Sequence, residues 1–252
     1  MKKIAFAILL CLAAGFCHAQ DARTVYTPDR PGALADTGIL PLHKLAWEGG
    51  MGIESRSGGP RTWTINSSQL RFGLFEDVEL RVGADFLMVR DTPDANPQYG
   101  LAPLNIELKA RFYEGSGILP SVGLLAGLVS SHVGSKWLLP SHLTPAMCLL
   151  FDHTVNDRWG INYNIGVQWD GETPTPSTFL GLGIICNITE SVGTYIESYN
   201  YLHPVEPNQY MTGFGLTWMV SDRLQLDLSA DLDLQHLGSF YAVNLGFAWL
   251  LN

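Results

Sequence analysis

From Leu224 to Gln235 the chain alternates without interruption: Leu224, Leu226, Leu228, Ala230, Leu232 and Leu234 interleave with Gln225, Asp227, Ser229, Asp231, Asp233 and Gln235. A period of two places the leucines on one face of an extended strand and the acids on the other, whereas a helix would scatter both sets around its circumference. The pattern recurs upstream. Trp159, Ile161, Tyr163, Ile165, Val167 and Trp169 oppose Gly160, Asn162, Asn164, Gly166, Gln168 and Asp170. Leu104, Ile106, Leu108, Ala110 and Phe112 oppose Asn105, Glu107, Lys109, Arg111 and Tyr113.

Tight polar turns join such segments at Phe75-Glu76-Asp77-Val78, Val155-Asn156-Asp157-Arg158, Ile188-Thr189-Glu190-Ser191 and Val220-Ser221-Asp222-Arg223, and Glu114-Gly115-Ser116-Gly117 makes a fifth. Asp, Asn, Ser and Gly suit reversals because they bond their own backbone or tolerate positive φ. Between these turns lie longer Pro- and Gly-rich loops, around Asp91–Ala102, His132–Ser141, Gly171–Ser177 and His203–Asn208.

Strands are expected near Lys44–Arg56, Thr62–Leu74, Val78–Val89, Leu104–Tyr113, Ile118–Ser131 and His142–His153. Six more follow near Arg158–Asp170, Thr178–Ile188, Val192–Tyr201, Gln209–Met219, Leu224–Gln235 and Ser239–Leu251. The total of twelve is even, as a single-chain barrel needs for both termini to lie on one side; weak alternation in the second and ninth leaves ten or fourteen as alternatives. The last strand carries Tyr241, Val243, Leu245, Phe247, Trp249 and Leu251 on one face.

The first residues read as an export signal: Lys2 and Lys3, an apolar run from Ile4 to Phe16, and a small-residue exit that places cleavage after Ala19. Phe16 before Cys17 and Leu10 before Cys11 are too large for a lipoprotein box. Removing residues 1–19 takes the formal charge from −9 to −11, which argues against a nucleic-acid partner. It also leaves two of the four cysteines, Cys148 and Cys186, with an intervening strand that holds them too far apart for a disulfide. No later window is apolar enough for a membrane helix. An exported, apolar, alternating chain with aromatic residues at both ends of its apolar stripes, as at Trp159 and Trp169, fits an all-β transmembrane antiparallel barrel of the outer membrane better than a soluble sandwich. Residues 44–252 form that barrel, and residues 20–43, with Pro28, Pro31 and Pro41 and no periodicity, either fold into the lumen as a short plug or hang in the periplasm.

The polar faces then line the lumen. Glu79, Arg81 and Asp85 are expected to face Glu107, Lys109 and Arg111 on the neighbouring strand as cross-strand charge ladders. Asn162, Asn164, Gln168 and Gln225 add neutral lining. Asp227, Asp231 and Asp233 either pair across the lumen with Arg71, Arg81, Lys109 or Arg111, or form a negative wall; the cost of burying unpaired carboxylates favours pairing. No metal motif and no cofactor fingerprint occurs. His132 and His142 bracket a loop beside Ser130, Ser131 and Ser141, the one place where a lipid-modifying site is conceivable, yet no catalytic residue is assigned.

Several stretches together resemble the outer-membrane proteins grouped as a meta-pathway of phenol degradation and described as transporters. They are Thr27-Pro28-Asp29-Arg30-Pro31-Gly32, Leu70-Arg71-Phe72-Gly73-Leu74 running into Val78-Glu79-Leu80-Arg81, Gly115-Ser116-Gly117-Ile118-Leu119-Pro120, Asp157-Arg158-Trp159-Gly160 and Ser221-Asp222-Arg223-Leu224-Gln225-Leu226-Asp227. The chain departs from the family pattern at Ser130-Ser131-His132-Val133-Gly134, which implies a different outer loop. The resemblance implies a barrel that passes small, often hydrophobic or aromatic, compounds. The expected function is thus a channel, exported by the Sec route, that meets outer-membrane lipids, the barrel-assembly machinery and an unidentified small solute. A closed barrel with a structural or surface-recognition role and a lipid-modifying enzyme are the rivals.

Overall fold

The computed structural model describes residues 26–92, 94–204 and 206–252, so the expected signal at 1–19 and the adjoining residues 20–25 lie outside the described residues. The strands are β1 Leu45–Arg56, β2 Arg61–Phe75, β3 Val78–Arg90, β4 Gln98–Leu101, β5 Asn105–Tyr113, β6 Ser121–Val129 and β7 Thr144–Thr154. Then come β8 Trp159–Gln168, β9 Ser177–Asn187, β10 Val192–Leu202, β11 Gln209–Ser221, β12 Leu224–Asp233 and β13 Phe240–Leu250. Apart from β4 and β5, consecutive strands pair antiparallel, and β1 pairs with β13 from Ala46↔Leu250 to Arg56↔Phe240, closing the sheet into a barrel. No edge is left along β1 or β13, which is what a sheet bathed in hydrocarbon requires.

The segments β4 and β5 both pair with β3, through Phe86↔Leu101 and Gly83↔Asn105 respectively, and so form one stave interrupted at Ala102-Pro103-Leu104. The barrel therefore has twelve staves. The expected loop at Asp91–Ala102 is corrected by β4, a strand of four residues. Pro103 supplies no N–H to the ladder, which accounts for the break; Ala102 N still donates to Asp85 O of β3 at 2.7 Å, and Leu104 N turns to Val133 O at 2.9 Å.

The burial pattern is that of a soluble protein turned inside out. On β12 Gln225, Asp227, Ser229 and Asp233 are buried while Leu226 and Leu228 are exposed, and Ile165, Phe214, Leu216, Trp218 and Leu245 repeat the outward apolar arrangement. Bare leucines on a full belt of strands are stable where hydrocarbon replaces water. Turns at 76–77, 114–120, 155–158, 188–191 and 222–223 gather at one end, together with the chain's C-terminus and the start of β1. The other end carries the connections at 57–60, 91–97, 130–143, 169–176, 203–208 and 234–239. These are called the short-turn end and the loop end.

Cys148 and Cys186 are free thiols on β7 and β9, separated by β8.

Candidate functional site: the occupied lumen

An ordinary barrel of twelve staves encloses more space than its own side chains fill. Here residues 26–41 supply the filling. The segment begins at the short-turn end, where Tyr26 and Leu40 pack with Ala46, Ala248 and Leu250. It rises, turns and returns to the same end, where Pro41 O accepts from Lys44 N at 3.0 Å.

Its irregular backbone is satisfied by the barrel wall, as buried amides must be. Glu197 of β10 accepts the N–H groups of Ala33 at 2.7 Å and Leu34 at 3.3 Å. Asn164 of β8 accepts from Ala35 N and donates to Ala35 O, both at 2.9 Å, so one side-chain amide mimics a strand partner. Asp152 of β7 accepts from Thr37 N, and Glu79 of β3 accepts from Leu40 N at 2.7 Å.

Ion pairs complete the attachment. Arg30 reaches Asp227 of β12 with Nη2 3.1 Å from Oδ1 and Nε 3.3 Å from Oδ2. Lys109 of β5 bridges Asp29 at 2.9 Å and Asp36 at 2.8 Å, while Asp29 also meets Arg81 of β3. Beneath them Arg71 of β2, wholly buried, binds Glu48 of β1 at 2.6 Å and Glu79 at 2.9 Å, and donates to Thr27 O at 3.1 Å. In a site shielded from water, each charge survives only because its neighbours complete its hydrogen bonds.

Space for Arg30 comes from the registered pair Gly50↔Gly246 on β1 and β13. A Cβ on Gly50 would lie 2.9 Å from Arg30 Nη2, and one on Gly246 would overlap the guanidinium outright. Small residues at these two inward positions therefore admit the arginine to Asp227.

The expected lining residues fall into several environments. Glu79, Arg81, Lys109, Asn162, Asn164, Gln225, Asp227 and Asp233 are buried on inward positions, with Gln225 Nε2 donating to Arg30 O at 2.8 Å. The expected ladders are corrected. Glu79↔Lys109 and Arg81↔Glu107 are register partners, but the charges of Arg81 and Lys109 go to Glu79 and to Asp29 and Asp36 of the lumen segment, and Glu107 meets Gln69 at 3.4 Å. Arg111 sits near the short-turn end on Asp77 at 2.8 Å, and Asp85 borders a cavity of about 320 Å³ at the break between β4 and β5. Gln168 lies towards the loop end, registered with Ala146 and Ser177.

Pairing of the β12 acids with Arg71, Arg81, Lys109 or Arg111 is likewise corrected. Those bases have closer carboxylates, so Asp227 takes Arg30, Asp231 accepts the Tyr199 hydroxyl at 2.9 Å, and Asp233 accepts the N–H groups of Gln235 and His236. Sequence reasoning did not nominate Asp29, Arg30 and Asp36 of the lumen segment, nor Glu48, Asp152 and Glu197 of the wall. Asp152 is the one acid on the inward stripe Thr144, Ala146, Cys148, Leu150, which is the signal that could have marked it.

Towards the loop end the lumen changes character. Leu34 packs with Phe179, Tyr199 and Met211, with Cys148, Tyr201 and Phe240 around them. Phe179 and Tyr201 ring centroids stand 5.2 Å apart. At the loops, His142 Nδ1 faces Gly171 O at 3.1 Å, Ser141 donates to Glu172, and Ser131 Oγ meets His132 Nδ1 at 2.9 Å, so the conceivable serine–histidine grouping is divided between separate contacts.

The fold is shared with known membrane barrels. The chain superposes on an outer membrane channel from Pseudomonas putida F1 with a TM-score of 0.64 at 14% identity, covering 88% of this chain and 99% of that one. The KdgM porin in complex with disordered oligogalacturonate gives 0.56 at 9% identity, with 82% and 99% covered. The NanC porin gives 0.51 at 9% identity, with 81% and 98% covered. The architecture is that of an outer-membrane barrel. No family model and no curated protein sequence matches the chain.

Proposed function

We propose that the chain is an outer-membrane channel for small compounds whose resting lumen is stoppered by residues 26–41. One observation carries the reading. A cavity of about 400 Å³ on the short-turn side and one of about 250 Å³ on the other are both bounded by Asp29, Arg30 and Leu34. The irregular segment that rises and returns through the lumen thus stands between the two cavities. That segment enters and leaves at the same end, so it can withdraw as a loop without threading a terminus.

Short connections face the periplasm in such barrels and longer ones the exterior, which orients the stopper to be drawn inward. The aromatic grouping of Phe179, Tyr199 and Tyr201 above it supports hydrophobic or aromatic solutes, in keeping with the resemblance to the phenol meta-pathway family. Export by the Sec route with cleavage after Ala19, insertion by the barrel-assembly machinery and residence among outer-membrane lipids belong to the same proposal.

The closed-barrel reading has its own support, since the stopper is tied to β1, β2, β3, β5, β7, β8, β10 and β12. Planar-bilayer recording separates the two, comparing the mature chain with a chain lacking residues 20–41. Brief openings in the first and sustained conductance in the second are expected. Silence in both would leave the closed barrel standing.

A further inference from the structure

The cavity on the short-turn side contains buried polar groups that the stopper and the wall leave unused. Asn162 of β8 is 6% exposed, and its Oδ1 accepts no hydrogen bond. The hydroxyl of Tyr195 on β10 and Nε of Arg158, at the foot of β8, are also buried without partners. All these side chains line this one cavity of about 400 Å³. An orphaned buried acceptor is costly, and a cluster of them around one space marks a place where a ligand's polar atoms complete the bonding.

Local backbone keeps the space open. Gly183 of β9 is the register partner of Asn162, and a Cβ there would collide with Asn162 Oδ1. Glycine at 183 therefore gives the amide oxygen room on the lumen side of the wall.

The charges on the lining specify the class of ligand. Deep in the cavity every ionised group is already engaged: Asp29 and Asp36 by Lys109, Arg30 by Asp227, and Glu197 by the Ala33 and Leu34 amides. What remains is an amide oxygen and a phenol, both neutral. At the mouth stand one base, Arg158, and two acids, Asp157 and Glu190, so the rim does not favour an anion. Leu34, Ile185, Met219 and the Tyr195 ring add apolar contact.

We infer that this cavity is a binding site, open to the short-turn side, for a small uncharged solute carrying several hydroxyls, of about monosaccharide size. The volume falls at the lower end of the roughly 300–1,000 Å³ typical of small-molecule sites. A ligand hydroxyl donates to Asn162 Oδ1, another exchanges hydrogen bonds with Tyr195, and the solute's C–H face lies on the apolar wall. The site is complete with the stopper in place, so occupancy does not depend on conduction.

The test is isothermal titration of the full mature chain, folded in detergent, with glucose, gluconate and glucosamine as probes. Barrel integrity in each variant is followed by its compact migration on unheated gels. Glucose is expected to bind in the millimolar range and to outcompete both charged analogues. Asn162→Ala should weaken glucose by up to about tenfold, the worth of one hydrogen bond. Gly183→Ala should weaken it as well by displacing the acceptor. Asn162→Asp should invert the order in favour of glucosamine, a change of charge preference that a purely structural role would not produce. Absence of glucose binding up to about 100 mM, unchanged affinity in folded Asn162→Ala, or preference for gluconate would each overturn the inference. Binding in a protein that never conducts would uphold the site and sink only the channel reading.

Discussion

Arg30 and Asp227 are 197 residues apart in sequence, yet the guanidinium of one grips the carboxylate of the other against the inner wall of the barrel, at 3.1 and 3.3 Å. The acid is on the wall and the base is on the stopper, so this contact sits on the line along which the stopper would leave.

Weakening the contact should therefore loosen the stopper. Arg30→Ala forfeits a charge-assisted pair worth about 1.5–3 kcal/mol, so the open fraction in planar bilayers should rise by roughly tenfold or more. Gly246→Ala should do the same from the wall side, by displacing the arginine it now admits. Unchanged open probability in both variants would show that the stopper is held elsewhere or never moves.

The outward face can be checked by placing a charge on it. Leu228 is 43% exposed at the middle of β12 and Ser229 is 5% exposed beside it. Leu228→Lys should cost about 2–4 kcal/mol in urea unfolding from lipid vesicles, whereas Ser229→Ala should stay below about 1 kcal/mol. Similar losses at the two positions would refute the assigned facing.

Arg71 offers a harsher test of the ion network. Arg71→Met leaves Glu48 without a cation in a dry site and Glu79 with Arg81 alone, and should destabilise the barrel by about 3–5 kcal/mol. Adding Glu48→Gln removes the stranded charge and should recover much of that loss in the same unfolding experiment. Failure to recover would mean that Arg71 acts through packing on Tyr26, over whose ring its guanidinium lies at 5.9 Å.

At the loop end, two exposed acids hold neighbouring connections. Glu172 accepts from Ser141 N and Oγ, both at 2.8 Å, and these hydrogen bonds hold its carboxyl below the usual range. Asp170 is lowered likewise by the amides of Thr173 and Glu172. A carboxylate whose folded value is depressed contributes order above its unfolded value and loses it as pH falls through the folded one. The link should persist through neutral and mildly acid pH and release only below about pH 4. Amide exchange at Ser141 followed against pH should show this step, and Glu172→Gln should abolish it.

Much of the barrel was legible because alternation is a strong code. A strand with apolar residues at every even position and polar ones at the odd, as from Leu224 to Gln235, can face only two ways, and the turns at Glu76-Asp77 and Ser221-Asp222 say where such strands reverse. The stave broken at Ala102-Pro103-Leu104 was not legible, since Gln98–Leu101 is four residues long and sits between Pro97 and Pro103, which read as loop. The wall charges could be located but not paired. Their partners Asp29, Arg30 and Asp36 lie on a segment with no period, and much of its attachment runs through backbone amides of Ala33, Ala35 and Thr37, which leave no trace in residue type. Glu197 and Asp152 were missed for the same reason: each serves a backbone that only the fold brings near.

The pairing of β1 with β13 sets an order of events. β13 buckles the cylinder shut against β1, around a segment that precedes both strands in the chain and touches staves from both sides of that seam. The barrel is wound on its own residues 26–41 as on a mandrel, so a chain with an altered residue 30 or 36 should falter during assembly as well as in the finished pore.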